Sequence, residues 1–305
     1  MISGVSYKLE LVTNHKCLLG EGPVWDAKRN AIYWLDILNG QLHQFFTTTK
    51  EHRVLNIGQM IGCIAICQDG NFIAGVKEGL GFIDRDSGAI KMIATPESNI
   101  PGNRFNDGKC DPLGRFWAGT MAISEQEHEG NLYMLDSELR VEKKRGKVSI
   151  SNGLAWTKDK RTLYYIDTPT REVLAFDFDL STASISNERV VIRIADDEGS
   201  PDGMTIDSED NLWIAHWGGW QVSRWDPATG KKLLKIPVPV HQVTCCTFGG
   251  DSLQDLYITT ARVHLDAEAF RDQPMAGSLF VIRNCGFSGT ESVEFARTLN
   301  SVDHV

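Results

Sequence analysis

A short phrase built round a glycine recurs along this chain every 40 to 50 residues or so, and a period of that size constrains the fold more than any other feature of the sequence. In four copies an oxygen-bearing side chain stands directly before the glycine. These are Glu21 before Gly22-Pro-Val-Trp25-Asp26, Asp107 before Gly108-Lys-Cys-Asp111, Asn152 before Gly153-Leu-Ala-Trp156, and Asp202 before Gly203-Met-Thr-Ile-Asp207. A turn and an aromatic-rich apolar run follow each one: AIYWLD, RFWAGT, TLYYID and NLWIAH. Two looser copies begin at Ile61 and Val243, with Gly62 and Thr244 at the glycine position. The repeat predicts an all-β fold, a β-propeller of six blades.

Within one unit the pattern predicts four antiparallel strands. In the fifth they are GMTID, NLWIAHW, QVSRWD and KKLLKIPV, separated by SEDN, Gly218-Gly219 and PATG turns. Aromatic and β-branched residues fill the runs, as a half-buried pleated surface requires. No linker or low-complexity stretch interrupts the 305 residues, so residues 1–305 are read as one propeller domain. The last unit is one strand short. Because an open sheet edge invites aggregation, residues 7–12 are expected to close the ring as the outer strand of blade six.

Composition narrows the partners. A net charge of -9 argues against nucleic acid, which needs a basic footprint. No apolar segment reaches membrane-spanning length, and the first residues lack a basic stretch followed by an apolar one; a cytoplasmic protein, monomeric or weakly dimeric, is expected. The seven cysteines show no C-x-x-C spacing, which fits reduced, buried thiols.

In a blade the innermost strand lines the central channel, so Glu21, Asp107, Asn152 and Asp202 are expected to meet at one mouth. The second strand runs back to that mouth, which brings Asp36, Thr120, Met121, Asp167, His216 and Trp217 there too. The turns at residues 122–129 and 263–276 exceed ordinary hairpin length and suit a lid or specificity wall. Carboxylates and an amide gathered in a dry mouth need a cation or a hydrogen-bond network to offset their burial. All-oxygen ligation suits Ca²⁺, Mg²⁺ or Mn²⁺, and Zn²⁺ also binds such donors. For any single residue, blade capping is the plainer reading; four at one repeat position favour a divalent metal.

The chain resembles the regucalcin/gluconolactonase/luciferin-regenerating-enzyme family through LGEGPVWD, NRFNDGKCDPLGRFWAGTM, ISNGLAW, LYYIDT, SPDGMTID and VTCCTFGGDSLQDLYITTAR. The resemblance implies a six-bladed propeller with one divalent metal held by Glu21, Asn152 and Asp202. It also implies that Arg104 and Asn106 contact substrate, with Asp107 supporting them. Animal members place an acidic residue shortly after Gly-Thr-Met; here Ala122, Ile123 and Ser124 follow Met121, so that contact is missing or has moved. The reading is a metal-dependent lactonase acting on a sugar lactone, with Asp202 as ligand and general base. His216 is an alternative base, and Trp217 and Trp220 are candidates for stacking on a sugar face. A non-catalytic calcium-binding propeller and a metal-dependent phosphotriesterase or esterase stand as alternatives.

Overall fold

Glycine recurs because six inner strands crowd one axis. In the computed structural model, which describes residues 7–297, a Cβ at Gly62 would stand 2.3 Å from the carbonyl oxygen of Phe105 in the next blade. At Gly203 it would meet Sγ of Cys245 at 2.3 Å, again in the next blade. Thr244 is the exception, and its hydroxyl turns the crowding into a bond by donating to the Gly20 carbonyl across the seam at 2.6 Å.

The sheets number six, each of four antiparallel strands. Their inner strands are Gly20–Asp26, Ile61–Ile66, Asn103–Cys110, Ser151–Trp156, Ser200–Ile206 and Val243–Gly249. Each packs on the next, and the last packs on the first. The sixth sheet is completed by Leu9–Leu11, paired with Phe280–Ile282, so the strand expected within residues 7–12 does close the ring. Residues 1–6, from which the location was inferred, lie outside the described residues. No helix among the described residues is long and apolar enough to cross a membrane.

The apolar core lies between the sheets rather than inside one, as fits faces that alternate along each strand. Aspartates of the repeat tie the far end of an inner strand to an aromatic of the second. Asp111 accepts from Trp117 Nε1 at 3.1 Å, Asp207 from Trp213 Nε1 at 2.9 Å, and Asp26 from the Tyr33 hydroxyl at 3.3 Å. Those acids are structural and sit at the end of the strand remote from Glu21 and its equivalents.

The repeated position itself differs from expectation. It lies inside the inner strand, not ahead of it, because every one of these strands carries a register shift at that point. The shifts fall between Glu21 and Val24, Ile61 and Cys63, Phe105 and Gly108, Asn152 and Leu154, Pro201 and Met204, and Val243 and Cys245. A bulge bends the strand and re-aims one side chain. The expected loop at residues 263–276 contains a short helix, Ala267–Asp272, capped by Asp266.

Gly203→Ala puts a methyl group into the Cys245 side chain, and overpacking of this kind costs about 1–3 kcal/mol. Urea unfolding should show a lower midpoint with an unchanged slope; an unaltered midpoint would contradict the close approach.

Candidate metal and substrate site

The bulges place Glu21, Asn152 and Asp202, all buried, toward one end of the channel, and Asp107 beside them on its wall. Glu21 Oε2 accepts the Gly22 amide at 2.8 Å, and Asp107 Oδ1 accepts the Gly108 amide at 2.7 Å. The Gly203 amide plays the same part for Asp202. One amide is a thin shell for a buried carboxylate. Burial, then the charge of Asp107, pushes the Glu21 carboxyl up to about 8 despite the opposing pull of Gly22 and Arg104. Burial, then the charges of Glu21 and Asp107, raises Asp202 well above the carboxylate range.

Asn152 is aimed by its neighbours. Its Nδ2 donates to Thr168 Oγ1 at 2.7 Å, and the Thr168 hydroxyl donates to the Pro201 carbonyl at 2.8 Å. With the amide nitrogen engaged on that side, Oδ1 is the atom left to face Asn106, whose Nδ2 donates to it at 3.0 Å and to the Ser151 carbonyl at 2.9 Å. Asn106 Oδ1 in turn accepts from Arg104 Nη1 at 2.6 Å. Arg104, Asn106, Asn152 and Thr168 therefore form one chain of bonds across blades three and four. Thr168 was quoted only as the end of LYYIDT; nothing in a single sequence shows that its hydroxyl orients an amide in the neighbouring strand.

Arg104 is buried and lowered to about 10 by that burial, an effect the charges of Glu21, Glu125 and Asp202 oppose. Glu125, an exposed acid four residues after Met121 and inside the expected wall at residues 122–129, lies near enough for its charge to act on Arg104. The backbone there turns through a left-handed Glu125, with φ of 59°, and its amide bonds to the Ala122 carbonyl at 2.9 Å. Sequence reading missed it because the acid arrives one residue later than Ser124, where the scan ended.

Other expected mouth residues serve the scaffold. Asp36 accepts the Leu18 amide at 2.7 Å, and Asp167 accepts the Ser149 and Ile150 amides at 3.0 and 2.9 Å. His216 is buried with Nδ1 on the Glu198 carbonyl at 2.8 Å and Nε2 on Ser223 Oγ at 2.6 Å. A carbonyl only accepts, so Nδ1 carries the hydrogen and Nε2 takes the serine proton, which leaves neither nitrogen for a substrate. Burial lowers this imidazole to about 3. Trp220 is 42% exposed and tilted against His241, at 5.6 Å between ring centres. A cavity of about 910 Å³ opens at the other end of the channel, between Trp25, Lys28, Trp156 and Lys158, and reaches inward to Asp107 and Lys109.

The donor set fits a divalent cation. Two buried carboxylates share their surroundings with Asp107, their ionisation is disfavoured, and an oriented amide oxygen stands with them. Ions that bind oxygen suit such donors. When bound, the cation would replace the protons that Glu21 and Asp202 otherwise retain.

Comparison with known proteins bears on what this arrangement belongs to. Residues 19–262 match the family model described as SMP-30/Gluconolactonase/LRE-like region. The chain belongs to this family. It is 39% identical to regucalcin of Danio rerio over 286 residues, 93% of this chain and 97% of that protein. It is 37% identical to the Bacillus subtilis protein named "Putative sugar lactone lactonase YvrE", over 88% of this chain and 92% of that one. The solved structure of a calcium-binding regucalcin from Agrobacterium tumefaciens superposes with a TM-score of 0.90 at 29% identity, covering 95% of this chain and 97% of that one.

Two outcomes test the site. A raised carboxyl means that the folded state holds a proton the unfolded chain loses at 4.5, so ionisation of the unfolded chain lowers stability progressively as pH rises from there to about 8. In chelator, Glu21→Gln should therefore gain stability relative to wild type as pH rises through that window, and parallel pH profiles would refute it. Thr168→Val should weaken divalent-ion binding about 10- to 100-fold by calorimetry while leaving the melting profile of the metal-free protein nearly unchanged.

Proposed function

We propose that this propeller is a metal-dependent lactonase that hydrolyses the cyclic ester of a sugar acid. One observation carries the reading: Glu21, Asp202 and the aimed Oδ1 of Asn152 stand as a metal-competent oxygen set beside a buried arginine. The family's description and the name of the Bacillus subtilis relative support the ester class. Glu21, Asn152 and Asp202 would hold the cation. Bound there, a Ca²⁺ or Zn²⁺ ion supplies Lewis acidity toward a carbonyl oxygen.

The rest falls to the chain's own groups. Arg104 offers a planar set of donors to substrate oxygens, and Asn106 holds that guanidinium in place through its Oδ1. Glu125, near Arg104 in the loop, accepts from a sugar hydroxyl and so takes the part that the sequence left open after Met121. Asp202 accepts the proton of an attacking water as its oxygen adds to the lactone carbon. The ring C–O bond then breaks, and the leaving alkoxide oxygen recovers that proton from Asp202 to become a hydroxyl. Asp107 keeps negative charge near the site and favours a bound cation; the partner is a small lactone.

A pH-stat assay over a panel of aldonolactones, with chelated and metal-restored protein, tests this. Turnover should vanish with chelator and return with one divalent ion. Asp202→Asn should lower kcat by at least about 100-fold, the scale of a general base, whereas Arg104→Ala and Glu125→Gln should act chiefly on KM. Tight calcium binding without turnover of any lactone would identify a binding propeller instead, and turnover of phosphotriesters alone would move the reaction class.

A further inference from the structure

A second cluster of donors lies outside the channel, at the seam where the last blade meets the first. The segment that joins Leu9–Leu11 to Gly20–Asp26 carries His15 and Cys17, and the third strand of blade one, Gln41–Phe46, carries His43. Cys17 and His43 are buried, and His15 is half-buried, so one side opens to solvent. One donor atom from each of the three lies within 4.8 Å of the others. Cys17 Sγ and His43 Nε2 are 3.7 Å apart. Two ligands on a tetrahedral zinc, at about 2.3 Å for sulfur and about 2.0–2.1 Å for nitrogen, stand about 3.5 Å from each other.

Two of the donors are already oriented. His43 Nδ1 meets His52 Nε2 at 3.1 Å, so the second ring fixes the first and leaves Nε2 toward the cysteine. Trp34 stacks on His43 at 4.8 Å and 15°, and its Nε1 donates to Cys17 Sγ at 3.3 Å, which fixes the sulfur beside the imidazole. The Cys17 amide donates to the Gly277 carbonyl of the last blade at 2.7 Å, and the Leu18 amide next to it to Asp36 at 2.7 Å. Two imidazoles and a thiol suit zinc-class ions and not calcium, which takes oxygen.

We propose that His15, Cys17 and His43 bind one zinc-class transition-metal ion, separate from the oxygen set of the channel, which clamps the ring-closing segment to blade one. Cys17 gives up its thiol proton to solvent on binding, and water takes the fourth position on the half-buried side. His52 acts on His43 and does not touch the ion. The clamp stands or falls independently of the lactonase reading.

Cobalt titration of full-length protein, reduced and stripped with chelator, tests it. Wild type should show a sulfur-to-cobalt charge-transfer band in the near ultraviolet, and Glu21→Gln, which breaks the channel set, should show the same band saturating at one equivalent. Cys17→Ser should lose it. His15→Ala, at the half-buried position, should bind cobalt at least about 10-fold more weakly with its fold intact, and His52→Phe, which removes the acceptor, about 10-fold more weakly. No band in wild type, a band that persists in Cys17→Ser, or a band lost in Glu21→Gln would overturn the proposal.

Discussion

The one-residue bulge in every inner strand is the constraint on which the molecule turns. Six strands meet round an axis with no room for side chains at the point of closest approach, so five of the six positions there are glycine. Bending the strand at that point lets the ring close, and the bend also swings the preceding residue toward the channel. A scaffold requirement thus creates six equivalent places for side chains. Four hold oxygen donors and two hold Ile61 and Val243, so the site has a polar side and an apolar one.

Electrostatics then separates those four. Burial and neighbouring carboxylates make Glu21 and Asp202 resist ionisation, and burial raises Asp107 as well, an effect that Lys109 and the Gly108 amide oppose. Asn152 brings no charge but an aimed oxygen, fixed through Thr168. A bound cation would relieve the repulsion at donors whose places the bulges already fix. Arg104 offsets part of the same charge while its Nη1 is held by Asn106 Oδ1 and the Phe105 carbonyl.

Much of this was legible in the chain. The glycine period gave the blade count, the shortage of one strand at the C-terminal end called for a strand within residues 7–12, and alignment of the repeats isolated Glu21, Asp107, Asn152 and Asp202, of which the family resemblance implied Glu21, Asn152 and Asp202 as the metal set. What escaped depends on side-chain contacts within and between blades. His216 ends its strand near the site, but Glu198 and Ser223 occupy both of its nitrogens. Glu125 lies in an irregular loop, where spacing does not show direction. His15, Cys17 and His43 come together only because the ring closes, since the first two precede blade one and the third sits on its third strand.

The sequence by itself determined the repeat, because a period of glycines and aromatics reports local strand pairing within each unit. It also determined which oxygens share a structural address. Only the tertiary structure decided which of those oxygens are buried together, which amide is aimed and which histidines remain free. Orientation and burial arise where strands pack within a blade and where one blade packs on the next, which joins residues as near as Asn152 and Thr168 and as distant as Asn106 and Asn152.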